Sequence, residues 1–403
     1  MSYPVHVVIR LTCSQPRIDR GNTGYPLTKD GKIHQCFGSN GTNWEGYLNP
    51  GANSDYPWAA EASFEVPIDS EALYLFTRGS RQHGSVRITT EDNHLDNVRI
   101  LVHALYYRQG SIAGTHACLL EPTTHEKSIG IFTPEWGSRS RSKDHIQFDI
   151  TIVIPTRRYG SERRVRKLDV NTPRYDLILG TLQEKVFFDI ISLSTENSLV
   201  DVKSVACATG KFESENGKIQ GTFSSLKSLS LHTSNSPIEA TVHLANQAVH
   251  QRTSTLDMST TSDRIDAKVD LYTPDFKSTS SLRYSVTAMT DNSPLSVSVT
   301  NLPVDAQLTL SARTLNADAQ VNLPPAFEGA FDVRTSGHNA AHLVEDDVSD
   351  PAKAGRKRTV HYDTHDNARS SGTIAWSPEH ERLGRVEVGT SNAGATLRHG
   401  AGI

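Results

Sequence analysis

The densest grouping of side chains that could hold a metal is His361-Tyr362-Asp363-Thr364-His365-Asp366, in a chain with 17 histidines. Two imidazoles and two carboxylates suit a divalent transition metal. On an extended strand His361, Asp363 and His365 would share one face, because side chains alternate with a period of two. The plainer reading, a solvated strand edge, is favoured: such residues mostly face water, and the sequence has no HExxH, HxH or Cys/His cluster to reinforce the site. No metal and no cofactor is assigned.

Carbohydrate cleavage needs two or three carboxylates gathered on adjacent strands. The candidates are Asp263, Asp266, Asp270, Asp291 and Asp318. Their offsets from the repeated corner described below differ from copy to copy, so they form no obvious column, and the chain is read as a non-enzyme. There is no G-x-S-x-G, no phosphate-cradling glycine loop and no dinucleotide fingerprint. A different chemistry is offered by Pro155 to Lys167, where Arg157, Arg158, Arg163, Arg164, Arg166 and Lys167 surround one glycine. Such a run can bind a polyanion. With a formal net charge of −4, nothing else supports that partner, so a solvated loop between two strands is preferred and nucleic acid is not expected.

What could position any of these residues is a repeat. It is clearest in Leu229 to Leu244, LSLHTSNSPIEATVHL: two alternating apolar runs about a Thr-Ser-Asn-Ser-Pro corner. Copies are centred on Thr172, Thr195, Ser214, Thr233, Thr260, Thr290, Thr314, Thr335 and Thr390. Two residues before the corner stand Val170, Leu193, Phe212, Leu231, Met258, Ala288, Ala312, Val333 and Val388. Five after it stand Leu177, Val200, Ile219, Ile238, Ile265, Leu295, Ala319, Ala340 and Ala395. Four before it the residue is apolar in every copy except Gly210. Two after it come Asn197, Asn216, Asn235, Asn292, Asn316 and Asn392, with Arg174, Ser262 and Gly337 in the other copies. These asparagines are read as structural: Asn and Gly tolerate the left-handed backbone of a sharp bend, and stacked corners could align the amides in a ladder.

A strand-corner-strand unit cannot bury its apolar face alone. Stacking many of them would, which predicts an all-β fold of the β-solenoid type with a continuous core. An antiparallel β-sandwich built from hairpins is the alternative, since strand, Asn-containing turn, strand is also a hairpin signature. The expected organisation is an irregular arm over residues 1–60, a β-rich part over 61–167, and the repeat array over 168–400 with an insertion at about 342–376. In the arm, Asn40-Gly41-Thr42 fits a glycosylation sequon, relevant only if the chain is exported. Cys13, Cys36, Cys118 and Cys207 are too scattered for a zinc site or a dense disulfide framework, and leave one or two disulfides or buried thiols equally open. The opening MSYPVHVVIRLTCSQPR has too short an apolar run for a signal peptide or a membrane span, so the expectation is a soluble chain without an export signal.

The short T-x-N-x-x-aliphatic units and the closing VEVGTSNAGATL resemble adhesin-like domains of unknown function. FEVPIDSEALYLFTRGSRQHGSVRI, FDITIVIPT, LPPAFEGAFDVRTS and DPAKAGRKR before GTIAW are similar to basidiomycete fungal members, over roughly Phe64 to Leu397. The resemblance implies an all-β, solenoid-like domain with a surface or adhesion role and no catalytic residue, cofactor or metal to carry over. It implies a cell-surface or secreted location, and membrane contact only if an N-terminal anchor is missing from this sequence. The resulting expectation is a non-enzymatic interaction protein with a glycan or protein ligand, with a carbohydrate-active β-helix enzyme as the alternative.

Overall fold

A computed structural model describes residues 24–38, 44–49, 55–93, 95–135, 142–156, 162–247, 252–274, 282–336 and 339–400. Among them there is no α-helix, and 27 strands belong to one hydrogen-bonded network. The first nine are β1 (Lys32–Phe37), β2 (Tyr47–Leu48), β3 (Trp58–Pro67), β4 (Ala72–Arg78), β5 (Gln82–Asp92), β6 (Asn97–Tyr106), β7 (His116–Glu121), β8 (Glu126–Phe132) and β9 (Ile146–Thr156). There follow β10 (Arg163–Asn171), β11 (Tyr175–Thr181), β12 (Val186–Thr195), β13 (Val200–Ser214), β14 (Ile219–Thr233), β15 (Ile238–Ala245), β16 (Ser254–Ser259), β17 (Ile265–Tyr272), β18 (Arg283–Met289) and β19 (Leu295–Asn301). The last are β20 (Gln307–Arg313), β21 (Ala319–Leu323), β22 (Gly329–Arg334), β23 (Ala341–Glu345), β24 (Thr359–His365), β25 (Arg369–Ala375), β26 (Gly384–Gly389) and β27 (Ala395–His399).

The ladders of the repeat region are parallel, and each joins a strand to its equivalent in the neighbouring unit. The apolar position before the corner runs in register Val170, Leu193, Phe212, Leu231, Met258, Ala288, Ala312, Val388, Val333. The position after it runs Leu177, Val200, Ile219, Ile238, Ile265, Leu295, Ala319, Ala395. All of these are at most 1% exposed and, with their inward-facing neighbours, share one hydrophobic cluster. At roughly 25 cal/mol per Å² of apolar surface removed from water, this shared core is the main reason a run of strands too short to fold alone holds together. Strands β13 and β14 cross from one ladder to the other without a loop, which is how two successive units fit into 19 residues. Gly210 is the exception in its column because it makes room: a Cβ there would lie 2.9 Å from Cys207 Sγ and from Leu229 Cδ1.

The structure departs from the sequence reading in four places. In the Thr335 copy the residue facing Ala395 is Ala341, not Ala340, so that unit is one residue longer after its corner. Two further pairs, β4/β5 and β8/β9, join the same parallel ladders (Leu75 beside Val170, Val86 beside Leu177, Leu75 beside Ile129, Val86 beside Ile150) without any Thr-x-Asn corner. The β4–β5 bend uses Gly79 at φ +105°, where a side chain would clash with the Thr133 carbonyl. Stacking order also differs from chain order: β26 and β27 insert between β20/β21 and β22/β23, so Gly384 to Leu397 lies inside the stack. Finally, of the basic run, Arg163, Arg164, Arg166 and Lys167 belong to strand β10 and not to a loop.

At both ends the ladders reverse direction. On one side β6 pairs antiparallel with β9, β3 with β6, β7 with β8 and β1 with β7. On the other, β25 pairs antiparallel with β22 and β24 with β25.

Candidate functional site in the corner ladders and outer faces

Each corner carries a Thr or Ser hydroxyl, and six of the nine add an exposed asparagine amide. The hydroxyls are buried, except for the half-buried Thr335, and seven of the nine bond to the neighbouring unit; Thr172 Oγ1 has no hydrogen-bond partner among the described residues and Thr335 Oγ1 donates to Asn339 O at 2.6 Å. Thr195 Oγ1 donates to Tyr175 O at 3.1 Å, Ser214 Oγ to Ser198 O at 3.1 Å and Thr233 Oγ1 to Gly217 O at 3.4 Å. Thr260 donates to Ser236 O at 3.2 Å, Thr290 to Asp263 O at 3.0 Å, Thr314 to Ser293 O at 3.3 Å and Thr390 to Ala317 O at 3.0 Å. In each case the acceptor is the carbonyl three residues past the adjacent corner, a group that would otherwise be buried unpaired at a cost of about 1–3 kcal/mol. Recurrence of a hydroxyl at one position across all nine copies is the sequence signal for this ladder.

The asparagines form the outer ladder. Asn216 Nδ2 donates to Asn197 Oδ1 at 2.6 Å and Asn235 Nδ2 to Asn216 Oδ1 at 2.7 Å. Ser262 Oγ continues the series to Asn235 Oδ1 at 3.2 Å. Asn292 Nδ2 reaches the Thr261 carbonyl at 3.3 Å, Asn316 Nδ2 donates to Asn292 Oδ1 at 2.8 Å, and Asn392 Nδ2 to Asn316 Oδ1 at 2.6 Å. The backbone explanation fails, however. Among the described residues only Arg174, Asp305 and Lys353 are non-glycine residues with positive φ, so the corner asparagines are not left-handed. What selects Asn is its amide, which both donates and accepts along the stack. Arg174, at φ 66°, is the exception that takes the left-handed bend, and its guanidinium reaches the Ser80 carbonyl at 3.0 Å. Gly337 lies outside the described residues, as do Arg157, Arg158, Asn40 and Cys13.

The remaining basic residues meet carboxylates. Arg163 pairs with Asp96 at 2.8 Å, Arg164 with Asp189 at 2.7 Å and Arg166 with Glu71 at 3.7 Å. Lys167 pairs with Asp169 at 3.2 Å and lies 4.7 Å over the Tyr74 ring. These are local, partner-satisfied cations, each worth little to stability where exposed.

The histidine group is not assembled. A β-bulge between Tyr362 and Thr364 interrupts alternation in β24, so His365 packs against Tyr362, with ring centroids 4.9 Å apart. His361 and Asp363 are exposed and 3.6 Å apart. Among the described residues the one set of three groups close enough to share a cation is instead Asp305, Glu328 and His380. Its donor chemistry does not fit one. Glu328 is 2% exposed and already occupied: Oε2 accepts from Trp376 N at 2.7 Å and Ser377 N at 3.1 Å, and Oε1 faces His380 Nδ1 at 3.1 Å and Arg356 Nη1 at 3.4 Å. A guanidinium beside the carboxylate repels a second cation, so Glu328 reads as the anchor of the insertion.

The five aspartates do not gather. Asp270 meets His243 Nδ1 at 3.0 Å, Asp318 accepts from Gly394 N at 2.9 Å, and Asp263 accepts from Arg264 N at 2.7 Å. Asp291 sits at a corner, next to Thr290. Only Asp266 has a carboxylate beside it in register, Glu239, on a shallow outer groove of about 440 Å³ that Asp201 also lines. Glu239 is held by Lys218 at 2.5 Å and Arg264 at 2.5 Å, and the Lys218 hydrogen bond leads in pulling its carboxyl below the usual range. A general acid for glycoside cleavage needs the opposite shift.

Cys36 and Cys118 face each other across β1 and β7 and form a disulfide, while Cys207 is a free buried thiol pushed up to about 12 by burial.

Residues 211–352 match the family model described as "Domain of unknown function (DUF7330)". No curated protein matches the chain. Among solved structures, a "putative cell adhesion protein" from Clostridium sporogenes is similar at 9% identity, over 85% of this chain and 99% of that one, with a TM-score of 0.18. A "putative adhesin" from Parabacteroides distasonis shares 11% identity over 65% of this chain and 89% of that one, at a TM-score of 0.29. A third, a "putative adhesin" from Parabacteroides merdae, shares 10% identity over 65% and 88%, at a TM-score of 0.30.

Proposed function

We propose that the chain is an adhesin-like, non-enzymatic β-solenoid module that binds a glycan or protein ligand at a surface through its exposed faces. The observation that carries this reading is the double ladder. Buried hydroxyls and exposed amides tie most corners to the next, and so present long outer faces whose side chains recur along parallel, in-register ladders. Repeat stacks of this kind use their extended surfaces for recognition. The carboxylate chemistry favours binding over cleavage, because Glu239 and Asp346 are both drawn below the usual carboxyl range by neighbouring cations. The Cys36–Cys118 disulfide suits an oxidising, exported setting. On this reading residues 168–400 are the array, residues 342–376 fold over its far end and residues 61–167 start it; the arm expected over residues 1–60 instead contributes β1 and β2, which pair with β7 and β3. The basidiomycete resemblance belongs to the same reading.

The test is localisation of full-length protein carrying a C-terminal tag, together with small-angle scattering of the purified chain. Wall-associated or secreted protein with an elongated envelope is expected; cytosolic residence would sink the surface role, and a near-spherical envelope would sink the solenoid. Heparin-column retention is expected to stay the same when Arg163, Arg164, Arg166 and Lys167 are neutralised, since each already has a carboxylate.

A further inference from the structure

We propose that the cleft where the insertion leaves β23 and lies against the outer face of β21 and β27 is a binding site for a neutral, polyhydroxylated ligand, a glycan carrying neither sulfate nor phosphate. This deepens the reading above and rests on it. The cleft has a volume of about 490 Å³, within the ~300–1,000 Å³ of small-molecule sites. Gln320 and Asn322 line it from β21, Arg398 and Gly400 from the end of β27, and Asp346 and Asp347 from the insertion.

Its walls are fixed. Asp346 N donates to His399 O at 3.0 Å, and the Asp346 carboxylate takes Arg398 Nε at 2.7 Å and Nη2 at 2.8 Å. Asn322 lies beside Arg398 in register and donates to Ser298 Oγ at 2.8 Å. Gly400, at φ +97°, lets the insertion approach: a Cβ there would meet Val348 Cγ1 at 3.0 Å and Asp346 Cβ at 3.2 Å. What remains unengaged is a set of hydrogen-bonding groups of both kinds. Gln320 uses its amide NH₂ on Asn322 Oδ1 at 3.3 Å, which leaves its carbonyl oxygen. Arg398 retains Nη1, and the exposed Asp347 carboxylate has no partner among the described residues.

Planar amide, carboxylate and guanidinium groups are suited to pairs of neighbouring hydroxyls, which donate and accept at once. Charge then selects among glycans. Arg398 is neutralised by Asp346, and Asp347 leaves the cleft one negative charge in excess, so an anionic sugar is repelled. The Glu239–Asp266 groove also offers amide, hydroxyl and carboxylate groups, but Lys203 and Lys268 line it and Lys218 and Arg264 hold Glu239, so it has no excess negative charge with which to exclude an anionic sugar.

The experiment measures binding of the full chain to four immobilised probes: mannan, laminarin and chitohexaose, which are neutral, and heparin, which is not. Wild type is compared with Gln320→Ala/Asp347→Ala and with Asp266→Ala in the other groove; thermal melts of all three proteins establish folding. The expected result is binding to at least one neutral probe, weakened tenfold or more by the double substitution and unchanged by Asp266→Ala. Equal binding by the double variant overturns the cleft while leaving the adhesin-like reading in place. Retention on heparin alone, or on none of the probes, also overturns it. Failure of the broader reading shows separately, as cytosolic residence.

Discussion

The middle of the stack and its two ends solve the same problem in different ways. In the middle, from β10 to β21, every strand has a parallel neighbour on each side, and corner hydroxyls and amides repeat with the units. At the ends a parallel ladder would leave a bare edge, a template for uncontrolled pairing. There the chain turns back on itself: β3, β6, β7 and β1 at one end and β25 and β24 at the other are antiparallel additions. Of the four edge strands, β1 and β24 carry a bulge, between Ile33 and Gln35 and between Tyr362 and Thr364, and bulges hinder further pairing; the other two, β2 beside β3 and β23 in parallel beside β27, are short. The ends are also where singular interactions collect: the disulfide at one, Glu328 and His399 at the other. Regular units are stabilised by repetition, whereas the ends rely on individual residues.

The contrast is sharpest in the core. Leu231→Ala in the middle is expected to cost about 2–5 kcal/mol of unfolding free energy, because a fully buried side chain leaves a cavity between two neighbours that cannot collapse. Val360→Ala, at a half-buried position of the mostly exposed terminal strand β24, should cost well under half as much. Urea melts of the two variants decide this, and similar losses would erase the distinction between middle and end.

Acid should attack one end first. His399 is fully buried, accepts from Arg358 Nη1 at 3.1 Å on Nδ1 and donates from Nε2 to Phe327 O at 3.2 Å; burial leads in lowering its pKa to about 4. A base whose folded pKa lies below its unfolded value of about 6.5 binds its proton more weakly when folded. Its contribution is therefore intact above pH 6.5 and declines as pH falls toward 4, by up to about 3 kcal/mol. Hydrogen exchange at pH 7 and pH 4.5 should show protection lost around β27 and β22 before β14. A uniform loss would mean that the two regions do not differ in this respect.

The two ladders predict smaller effects within the middle. Thr233→Val keeps the shape but removes a buried donor from the Gly217 carbonyl, and should cost about 1–3 kcal/mol. Asn235→Ala removes an exposed amide pair and should cost about 0.5–1 kcal/mol. Chemical denaturation of both variants ranks the ladders; an Asn235 effect equal to that of Thr233 would make the outer ladder as structural as the inner.

Particular residues show how far the sequence could be read. The columns before the corner were legible because burial on one face of a strand demands apolar residues at fixed offsets, and all nine positions from Val170 to Val388 are buried. Units β4/β5 and β8/β9 were missed because the bend at Gly79 uses glycine geometry in place of the Thr-x-Asn signature. Glu328 was missed although a lone acid within the apolar run PPAFEGAF was visible; its four partners come from residues 28 to 52 positions further on, and no local pattern specifies them.

Periodic demands of the backbone and core are written locally, since each unit must present the same face to its neighbour. The amino-acid order alone therefore determined the all-β character, the position of the corners and the inward-facing columns. Only the tertiary structure decided that β26 and β27 slip between β20/β21 and β22/β23, that the asparagines serve through their amides and not through their backbone, and that the insertion lies against β27 to form a cleft. Each of these depends on which distant strand lies alongside, and strands with the same alternation are interchangeable to the local sequence.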